Sequence, residues 1–295
     1  MGTIVSVEVV EPEDSGLAAT VDAAMGRALE WFHEVERRCS RFDEDSELRA
    51  LCAHTGEAVT VSELLFSAVQ FALALAEDTD GAFDPTVGAE MARRGFDRHY
   101  VTGARSTEPG SPAGGTWLDV ELDAEARTIA LHRPLVLDVA AVVKGLAVDL
   151  AAKELAQYRH FAIDAGGDLY VSGHNARHET WSVGIRHPRR DREAIERLTL
   201  TDAAICTSGD YERIGTDGHH VIDPRAKVPA SATASATVIA PTAMLADALA
   251  TAAFVLGPQA GVALLERHGV QGVLYSPSLD RFTTRGLSAA LLPHA

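Results

Sequence analysis

The stretch Ala243-Met-Leu-Ala-Asp-Ala-Leu-Ala-Thr251 is the part of the sequence that says most about fold and chemistry. Read as a helix, it places Asp247 and Thr251 one turn apart on the same face. A carboxylate and a hydroxyl oxygen side by side are ligands that hard cations such as Mg²⁺ prefer. Because the neighbouring residues are small or apolar, a charge at Asp247 needs a partner or a metal. The alternative is that Asp247 caps or pairs locally and Thr251 is an ordinary helix residue.

Composition limits the classes of function. The chain has 295 residues, enough for one large or two small domains, and 46% of them are hydrophobic, which allows a sizeable core. Lys and Arg number 26 against 42 Asp and Glu, so the net charge is −16. This charge argues against a surface for nucleic acid or an anionic membrane. A phosphate site in such a protein would need backbone N–H groups, a metal or a few well-placed cations.

The cysteines and the N-terminus bear on the cellular compartment. Cys39, Cys52 and Cys206 are scattered and odd in number, so they predict reduced thiols rather than a disulfide framework or a zinc site. The first residues alternate like a strand and show no signal-peptide pattern, and no apolar stretch reaches the 18 residues of a membrane span. We therefore expect a cytoplasmic location for the sequence as given, and export if a signal segment precedes it.

Periodicity predicts a mixture of helices and strands. Strands are expected at residues 3–10, 118–122, 127–131, 161–164, 170–172, 181–185, 203–206 and 270–275. Helices are expected at residues 17–38, after an N-cap at Ser62 through about Ala76, at 144–157, around Asp247 and at 259–268. Because strands and helices do not alternate strictly, we expect an α+β fold. With no internal repeat and no clear linker, the chain is expected to form a single domain over residues 1–295.

Two segments could bind a nucleotide. In Gly81-Ala-Phe-Asp-Pro-Thr-Val-Gly88, the carboxylate of Asp84 could face a ligand, or could simply close a turn with an Asx-type hydrogen bond. In the second segment, Asp138 precedes an apolar turn and then Lys144-Gly145, which reads as the start of a helix. A lysine in the first turn opposes the helix dipole, so Lys144 suggests a bound phosphate.

Two further segments could carry chemistry. Gly166-Gly167 follows a short strand and permits a close backbone approach, although a tight turn explains the pair nearly as well. Thr207-Ser-Gly-Asp-Tyr211 is followed by His219-His220, which are too close in sequence to bind one metal together comfortably. One of the two histidines is better placed as an acid, a base or a phosphate contact, and the alternative is a surface pair.

Taken in order, these segments resemble the ApbE family of bacterial flavin transferases, the FAD:protein FMN transferases. The matching pieces are Met1-Gly-Thr3, Phe42 with Asp45-Ser-Glu-Leu48, Gly81–Gly88, Asp138–Asp149, Gly166-Gly-Asp168, Thr207–Tyr211, His220-Val-Ile-Asp-Pro224 and Ala246–Thr251. Each piece is short, but eight in the same order cover about residues 1–257. The resemblance implies an ApbE-like α+β fold and an enzyme that needs Mg²⁺. Such an enzyme transfers FMN from FAD to a Thr or Ser hydroxyl of an acceptor protein and releases AMP.

The resemblance also implies roles for individual residues. The FAD-binding residues would be Met1, Phe42, Ala82, Phe83, Asp84, Asp138, Lys144 and Val221. The metal ligands would be the backbone carbonyl of Ala141 and the side-chain oxygens of Asp247 and Thr251. For the phosphoryl transfer itself, Lys144 would add positive potential and His220 is the candidate base. The expected partners are FAD and an acceptor flavoprotein, with no nucleic acid and no membrane span.

The sequence departs from the family pattern at several positions. Ala140-Ala141 replaces a common Gly-Gly, Val143 replaces an alanine, Phe42 replaces a frequent tyrosine, and Ala226-Lys227 replaces a usual Thr-Gly. Two alternatives therefore accompany the transferase. One is a pyrophosphatase that splits FAD into FMN and AMP with water as acceptor, and the other is a protein that binds FAD without catalysis.

Overall fold

The computed structural model describes residues 2–10, 18–98, 103, 115–215 and 218–287. The helices of these ranges are α1 (Ala18–Cys39), α2 (Glu47–Cys52), α3 (Glu63–Asp78), α4 (Gly88–Arg93), α5 (Ala140–Glu154), α6 (Ala243–Leu256) and α7 (Pro258–Arg267). Short 3₁₀ turns cover Pro85–Val87 and Trp117–Asp119.

Strands lie between and beside these helices. They are β1 (Val5–Val9), β2 (Ala58–Thr60), β3 (Val120–Asp123), β4 (Thr128–Leu131), β5 (Phe161–Ala165), β6 (Asp168–Ser172), β7 (Trp181–Arg186), β8 (Ala194–Leu200), β9 (Ala203–Gly209), β10 (Ile214–Gly215), β11 (Gly218–His219), β12 (Ile222–Asp223), β13 (Val228–Pro229), β14 (Ser235–Ala240), β15 (Gln271–Tyr275) and β16 (Arg281–Thr283). The predicted α+β class is confirmed.

The chain forms two compact units. The first unit takes the described residues of 33–143 and 213–230 together with Gly2, and the second takes those of 3–32, 144–212 and 231–287. Because each unit is assembled from separated segments, the chain passes between them several times and no single linker divides it. The expectation of one domain over residues 1–295 stays a prediction.

The second unit is built on a seven-stranded sheet. Its strand order is β1-β5-β6-β9-β14-β15-β16, and each neighbouring pair is antiparallel. Helix α6 packs on β9 and β14, and α7 packs on α6 and β15. A hairpin of β7 and β8 adds Ile185 and Leu198 to a buried cluster with Val171, Ile205 and Val273 of the large sheet.

Helix α6 is a core helix. Its N-cap is Thr242, whose side chain accepts from the Leu245 N–H, and it ends at Gly257 with a φ of 85°. Ten of its 14 residues are buried, and these are apolar except for Asp247. A helix that is apolar on every face belongs in a core. The sequence therefore inserts one carboxylate into the interior of this unit.

The first unit contains α2, α3 and α4, a three-stranded sheet in the order β2-β4-β3, and two short strand pairs, β10–β11 and β12–β13. The predicted N-cap is confirmed, because Ser62 Oγ accepts from the Leu65 N–H at 3.2 Å. Leu65, Val69 and Ala72, which the sequence spaces as one apolar face of this helix, are buried.

Several boundaries differ from the sequence-based expectation. The helix expected at 144–157 begins at Ala140, because Asp138 Oδ1 accepts from the Ala140 N–H at 3.0 Å and starts the helix four residues earlier. The expectations missed the helices α2 and α4 and the strands β2, β8, β10, β11, β12, β13, β14 and β16. The sequence also predicts a loop at 103–116, which is rich in Gly, Ser, Pro and Thr, and residues 104–114 of it lie outside the described residues. Nowhere in the described ranges does a helix have both the length and the apolar character needed to span a bilayer.

Candidate functional site

Asp247 is a buried carboxylate in the second unit. Its residue is 5% exposed, and within the described part of the chain its Oδ2 has no hydrogen-bond partner. The backbone N–H of Gly145, on α5, donates a hydrogen bond to the same carboxyl group. Burial, and next the neighbouring carboxylate of Asp168, raise the pKa of Asp247 well above its usual value. A carboxylate in this position gains stability from a bound cation.

The hydroxyl one turn along the helix has a polar neighbour. Thr251 Oγ1 lies 3.0 Å from Ser208 Oγ on β9, so the Thr251 hydroxyl makes a polar contact outside α6. Next to Ser208, Thr207 Oγ1 lies 2.9 Å from Thr237 Oγ1 on β14. The carboxylate of Asp247 and the hydroxyls of Thr251 and Ser208 are hard oxygen donors, and this set fits a divalent cation such as Mg²⁺.

Lys144 forms an ion pair with Asp168. Its Nζ contacts Asp168 Oδ2, and the two side chains are 30% and 1% exposed. Burial opposes the charge on Lys144, but the carboxylates of Asp168 and Asp247 outweigh it and raise the pKa of the ammonium above its usual value. With both carboxyls ionised, the three side chains carry one net negative charge, which a cation would offset.

The expected position of Lys144 in the first helical turn was wrong. Lys144 is the fifth residue of α5, beyond the turn where the helix dipole acts most strongly. Its charge is compensated by the Asp168 carboxylate instead. Sequence reasoning missed Asp168 as a partner of Lys144, since the two residues are far apart in sequence and meet only in the folded chain.

Helices α5 and α6 approach each other closely at Gly145. A Cβ atom at this position would lie 2.3 Å from the backbone oxygen of Ala243, so a larger residue could not fit without movement. One turn further along α5, Asp149 accepts hydrogen bonds from the N–H groups of Ala243 and Met244 at 2.7 and 2.9 Å. These contacts fix the N-terminal end of α6, from which Asp247 projects.

In the first unit, Asp138 is paired with an arginine that sequence reasoning missed. Arg41 Nε lies 2.8 Å from Asp138 Oδ2, and the side chains are 5% and 12% exposed. The Arg41 guanidinium also stacks 4.2 Å from the centre of the Phe42 ring and donates to the backbone oxygen of Phe96. Local sequence gave no signal for this pair, because Arg41 and Asp138 lie far apart along the chain. The FAD contacts of Phe42 and Asp138 stay predictions.

Asp84 makes the turn that was weighed as the alternative to ligand binding. Its Oδ1 accepts from the Thr86 N–H at 2.8 Å and from Thr86 Oγ1 at 2.7 Å, and its Oδ2 accepts from the Trp117 N–H at 3.2 Å. Burial raises the pKa of Asp84, and the Thr86 hydrogen bonds oppose that rise. Ala82 and Phe83 are buried beside it. The expected FAD contacts of these three residues stay predictions.

The two adjacent histidines have different surroundings. His219 Nε2 lies 2.9 Å from the Ala230 backbone oxygen, and its Nδ1 accepts from the Val221 N–H at 3.2 Å, so this ring is held by the backbone. The His220 ring is half-buried and lies edge-on to Phe96, with 6.3 Å between ring centres. His220 is therefore the better candidate for chemistry, and its role as a base stays a prediction.

The structure brings part of the predicted site together. Lys144, Asp247 and Thr251 lie in the second unit. Asp168 contacts Lys144 and Ser208 contacts Thr251, and both belong to segments that the sequence singled out without giving these two residues a role. Ala141 belongs to the first unit, and Met1 lies outside the described residues. Within the described ranges, no three His, Cys, Asp or Glu side chains are arranged as ligands of one metal, so the predicted cation set depends on hydroxyl and carbonyl oxygens.

Comparison with known proteins adds an independent line of information. The family model described as "ApbE family" matches residues 1–274. The FAD:protein FMN transferase of Treponema pallidum is 32% identical, over 94% of this chain and 83% of the relative. That of Vibrio cholerae is 29% identical, over 96% and 87%.

Solved structures agree with these sequence relatives. The flavin transferase ApbE from Vibrio cholerae superposes with a TM-score of 0.83 at 26% identity, over 99% of this chain and 96% of that one. The ApbE protein from Thermotoga maritima gives a TM-score of 0.82 at 27% identity, over 99% of both chains.

Proposed function

Because the chain belongs to the ApbE family, we propose that it is a FAD:protein FMN transferase that needs Mg²⁺. In this reaction the hydroxyl oxygen of a Thr or Ser in an acceptor protein attacks the phosphorus of the FMN half of FAD. The bond from that phosphorus to the bridging oxygen breaks, AMP leaves with that oxygen, and a phosphoester joins FMN to the acceptor. The curated relatives from Treponema pallidum and Vibrio cholerae carry the same enzyme name.

One observation carries the proposal. The buried Asp247 carboxylate has an oxygen without a hydrogen-bond partner in the described part of the chain, and the hydroxyl pair of Thr251 and Ser208 belongs to the same unit as the ammonium of Lys144. Oxygen donors for a cation together with an ammonium suit a pyrophosphate, whose oxygens bind both. A divalent cation bound there would turn the single net negative charge of Lys144, Asp168 and Asp247 into a net positive one, and a protein of net charge −16 needs such a local positive charge to bind an anion.

Each residue has a role in this proposal. Asp247, Thr251 and, by the family resemblance, the carbonyl of Ala141 would hold the cation, and Lys144 donates hydrogen bonds to phosphate oxygens. When bound, the cation would neutralise charge on the pyrophosphate as the bond to AMP breaks. His220 accepts the proton of the attacking hydroxyl, a task for which an imidazole is suited near neutral pH.

The flavin nucleotide is assigned to residues of the first unit. Phe42 offers an aromatic face for stacking, and Arg41 behind it holds the ring in place. Asp84, Asp138 and Val221 complete the proposed contacts, with Ala82 and Phe83 beside Asp84. Since both Asp84 oxygens already accept hydrogen bonds from the protein, we assign to Asp84 the shaping of its loop as well as a ligand contact.

The test is a transfer assay with purified protein, FAD, Mg²⁺ and a candidate acceptor flavoprotein. Mass spectrometry of the acceptor should show a gain of FMN less one water on a Thr or Ser, with equimolar AMP. His220→Ala should slow transfer by roughly 10²–10⁴-fold. His33→Ala, which changes an exposed histidine of α1, is the matched control and should keep the wild-type rate.

The same assay without acceptor separates the alternatives. FAD that stays intact until acceptor is added supports the transferase. Rapid conversion of FAD to FMN and AMP in the absence of acceptor would instead identify a pyrophosphatase. Intact FAD in every reaction, with FAD bound to the protein, would identify a binding protein and contradict the proposal.

A further inference from the structure

Lys144 lies within reach of two buried acidic side chains. It contacts Asp168, and the charge of Asp247 also acts on it. The two carboxyl groups are close enough for a side-chain hydrogen bond between them. The Cys206 thiol is nearby, but burial and then the Asp168 carboxylate raise its pKa well above the usual value, so it is neutral. Two carboxylates, those of Asp168 and Asp247, are therefore possible ion-pair partners of the Lys144 ammonium.

The two carboxylates are held differently. Asp168 is the first residue of β6, pairs with Ala165 of β5 and is 1% exposed, so strand pairing and burial fix its position. Asp247 accepts from the Gly145 N–H and keeps one oxygen without a partner in the described part of the chain. The fixed carboxylate of Asp168 contacts the lysine, and the Oδ2 atom of Asp247 has no hydrogen-bond partner within the described residues.

We propose that Asp168 is a positioning residue that holds Lys144 away from Asp247, and so keeps Asp247 free to bind the cation. The inference rests on the proposed function of this site. Without Asp168, the strongest remaining partner for the Lys144 ammonium is Asp247. The resulting ion pair would compete with a divalent cation for the same oxygens. With Asp168 in place, the Lys144 ammonium can bind phosphate while the Asp247 carboxylate can bind the metal.

The experiment measures metal affinity without FAD, using Mn²⁺ as the probe and the electron paramagnetic resonance signal of free Mn²⁺. The variants are Asp168→Asn, Lys144→Met and the double variant D168N/K144M, compared with wild type. D168N should weaken Mn²⁺ binding by roughly tenfold or more, within the usual range of coupling between sites. D168N/K144M should return to within about threefold of wild type, because the competing ammonium is gone.

The double variant distinguishes positioning from other roles. If Asp168 were itself a metal ligand, or only stabilised the fold, removing Lys144 as well would not restore Mn²⁺ binding. A double variant that stays roughly tenfold weaker than wild type, or a D168N protein with unchanged affinity, would overturn the proposal. Should D168N fail to fold, Asp168→Ser, which also removes the carboxylate but leaves a smaller polar side chain, takes its place as the single variant, with D168S/K144M as its double variant.

A matched control checks the local turn. Asp164→Asn changes a carboxylate of β5 whose Oδ1 accepts from the Gly167 N–H at 2.8 Å, in the turn that leads to Asp168. It should leave Mn²⁺ affinity unchanged, and an equal loss in D164N would assign the effect to turn geometry and contradict the proposal. Transfer of FMN is assayed on the same wild-type preparation. Protein that binds Mn²⁺ but transfers no FMN counts against the proposed function and not against the role of Asp168.

Discussion

Asp149 accepts a hydrogen bond of 2.7 Å from the backbone N–H of Ala243, the first residue of α6. With the second bond from Met244, a side chain of α5 satisfies two of the free N–H groups at the start of the helix that carries Asp247. Burial raises the pKa of Asp149, and the two hydrogen bonds oppose that rise. The position of the proposed metal carboxylate thus depends on a contact between helices.

Replacement of Asp149 by alanine should therefore lower stability and metal binding together. We expect a loss of about 1–2 kcal/mol in the free energy of unfolding, the usual range for a helix-capping side chain. Urea denaturation measures the first effect and Mn²⁺ affinity the second. Thr242→Ala removes the weaker 3.4 Å cap of the same helix and serves as the comparison. Equal effects of the two variants would contradict a special role for Asp149.

Asp247→Asn should separate metal binding from folding. The substitution keeps the shape of the side chain and removes a charge whose burial is unfavourable. We expect a melting temperature without metal that is unchanged or higher, and no further rise when Mg²⁺ is added. Thermal melts with and without Mg²⁺ test this, with wild type as the reference. A rise with Mg²⁺ as large as that of wild type would remove Asp247 from the metal site.

Lys144→Met should lower both the affinity for FAD and the thermal stability of the unliganded protein. Loss of a charge-assisted phosphate contact is worth about 1.5–3 kcal/mol, or roughly 10- to 150-fold in affinity. If Lys144 lay in the first helical turn and opposed the helix dipole, its removal would not lower stability. The ion pair with Asp168 leads to the opposite expectation. Because Asp168 would lose its ion-pair partner while buried, we expect a lower melting temperature. Calorimetry with FAD and thermal melts provide the two measurements, and unchanged FAD affinity would refute the phosphate contact.

The raised pKa of the buried Cys39 thiol should make stability depend on pH in the alkaline range. Burial raises the pKa of its thiol from the usual 9.0 to about 12, and the Glu47 carboxylate adds to the rise. Between these values the folded state holds a proton that the unfolded state has lost. Stability is therefore complete below pH 9.0 and falls as the pH rises toward about 12, with a slope of up to about 1.4 kcal/mol per pH unit.

Cys39→Ala provides the check on this alkaline loss. Urea denaturation at several pH values between 8 and 11 should give a flatter profile for the variant than for wild type. Profiles of the same slope would show that other groups cause the alkaline destabilisation.

The helix around Asp247 was predictable because its small, apolar composition and the four-residue spacing of Asp247 and Thr251 are local properties of the sequence. Strand β14 was not, since five of its six residues are buried and the strand shows no alternation of polar and apolar residues. Arg41 and Asp168 were missed for another reason. Each forms an ion pair with a residue far along the chain, Arg41 with Asp138 and Asp168 with Lys144, and a single sequence contains no signal for such a pair.

The missing side chain at Gly145 has a consequence for how this protein can change. With 2.3 Å between a hypothetical Cβ and the Ala243 oxygen, any substitution would push α6 away from α5. Lys144 is its neighbour on one helix, and Asp247 accepts its N–H from the other. A mutation at position 145 would therefore alter the proposed metal and phosphate contacts together. Evolution or protein engineering can adjust the two affinities separately only through residues elsewhere in the site.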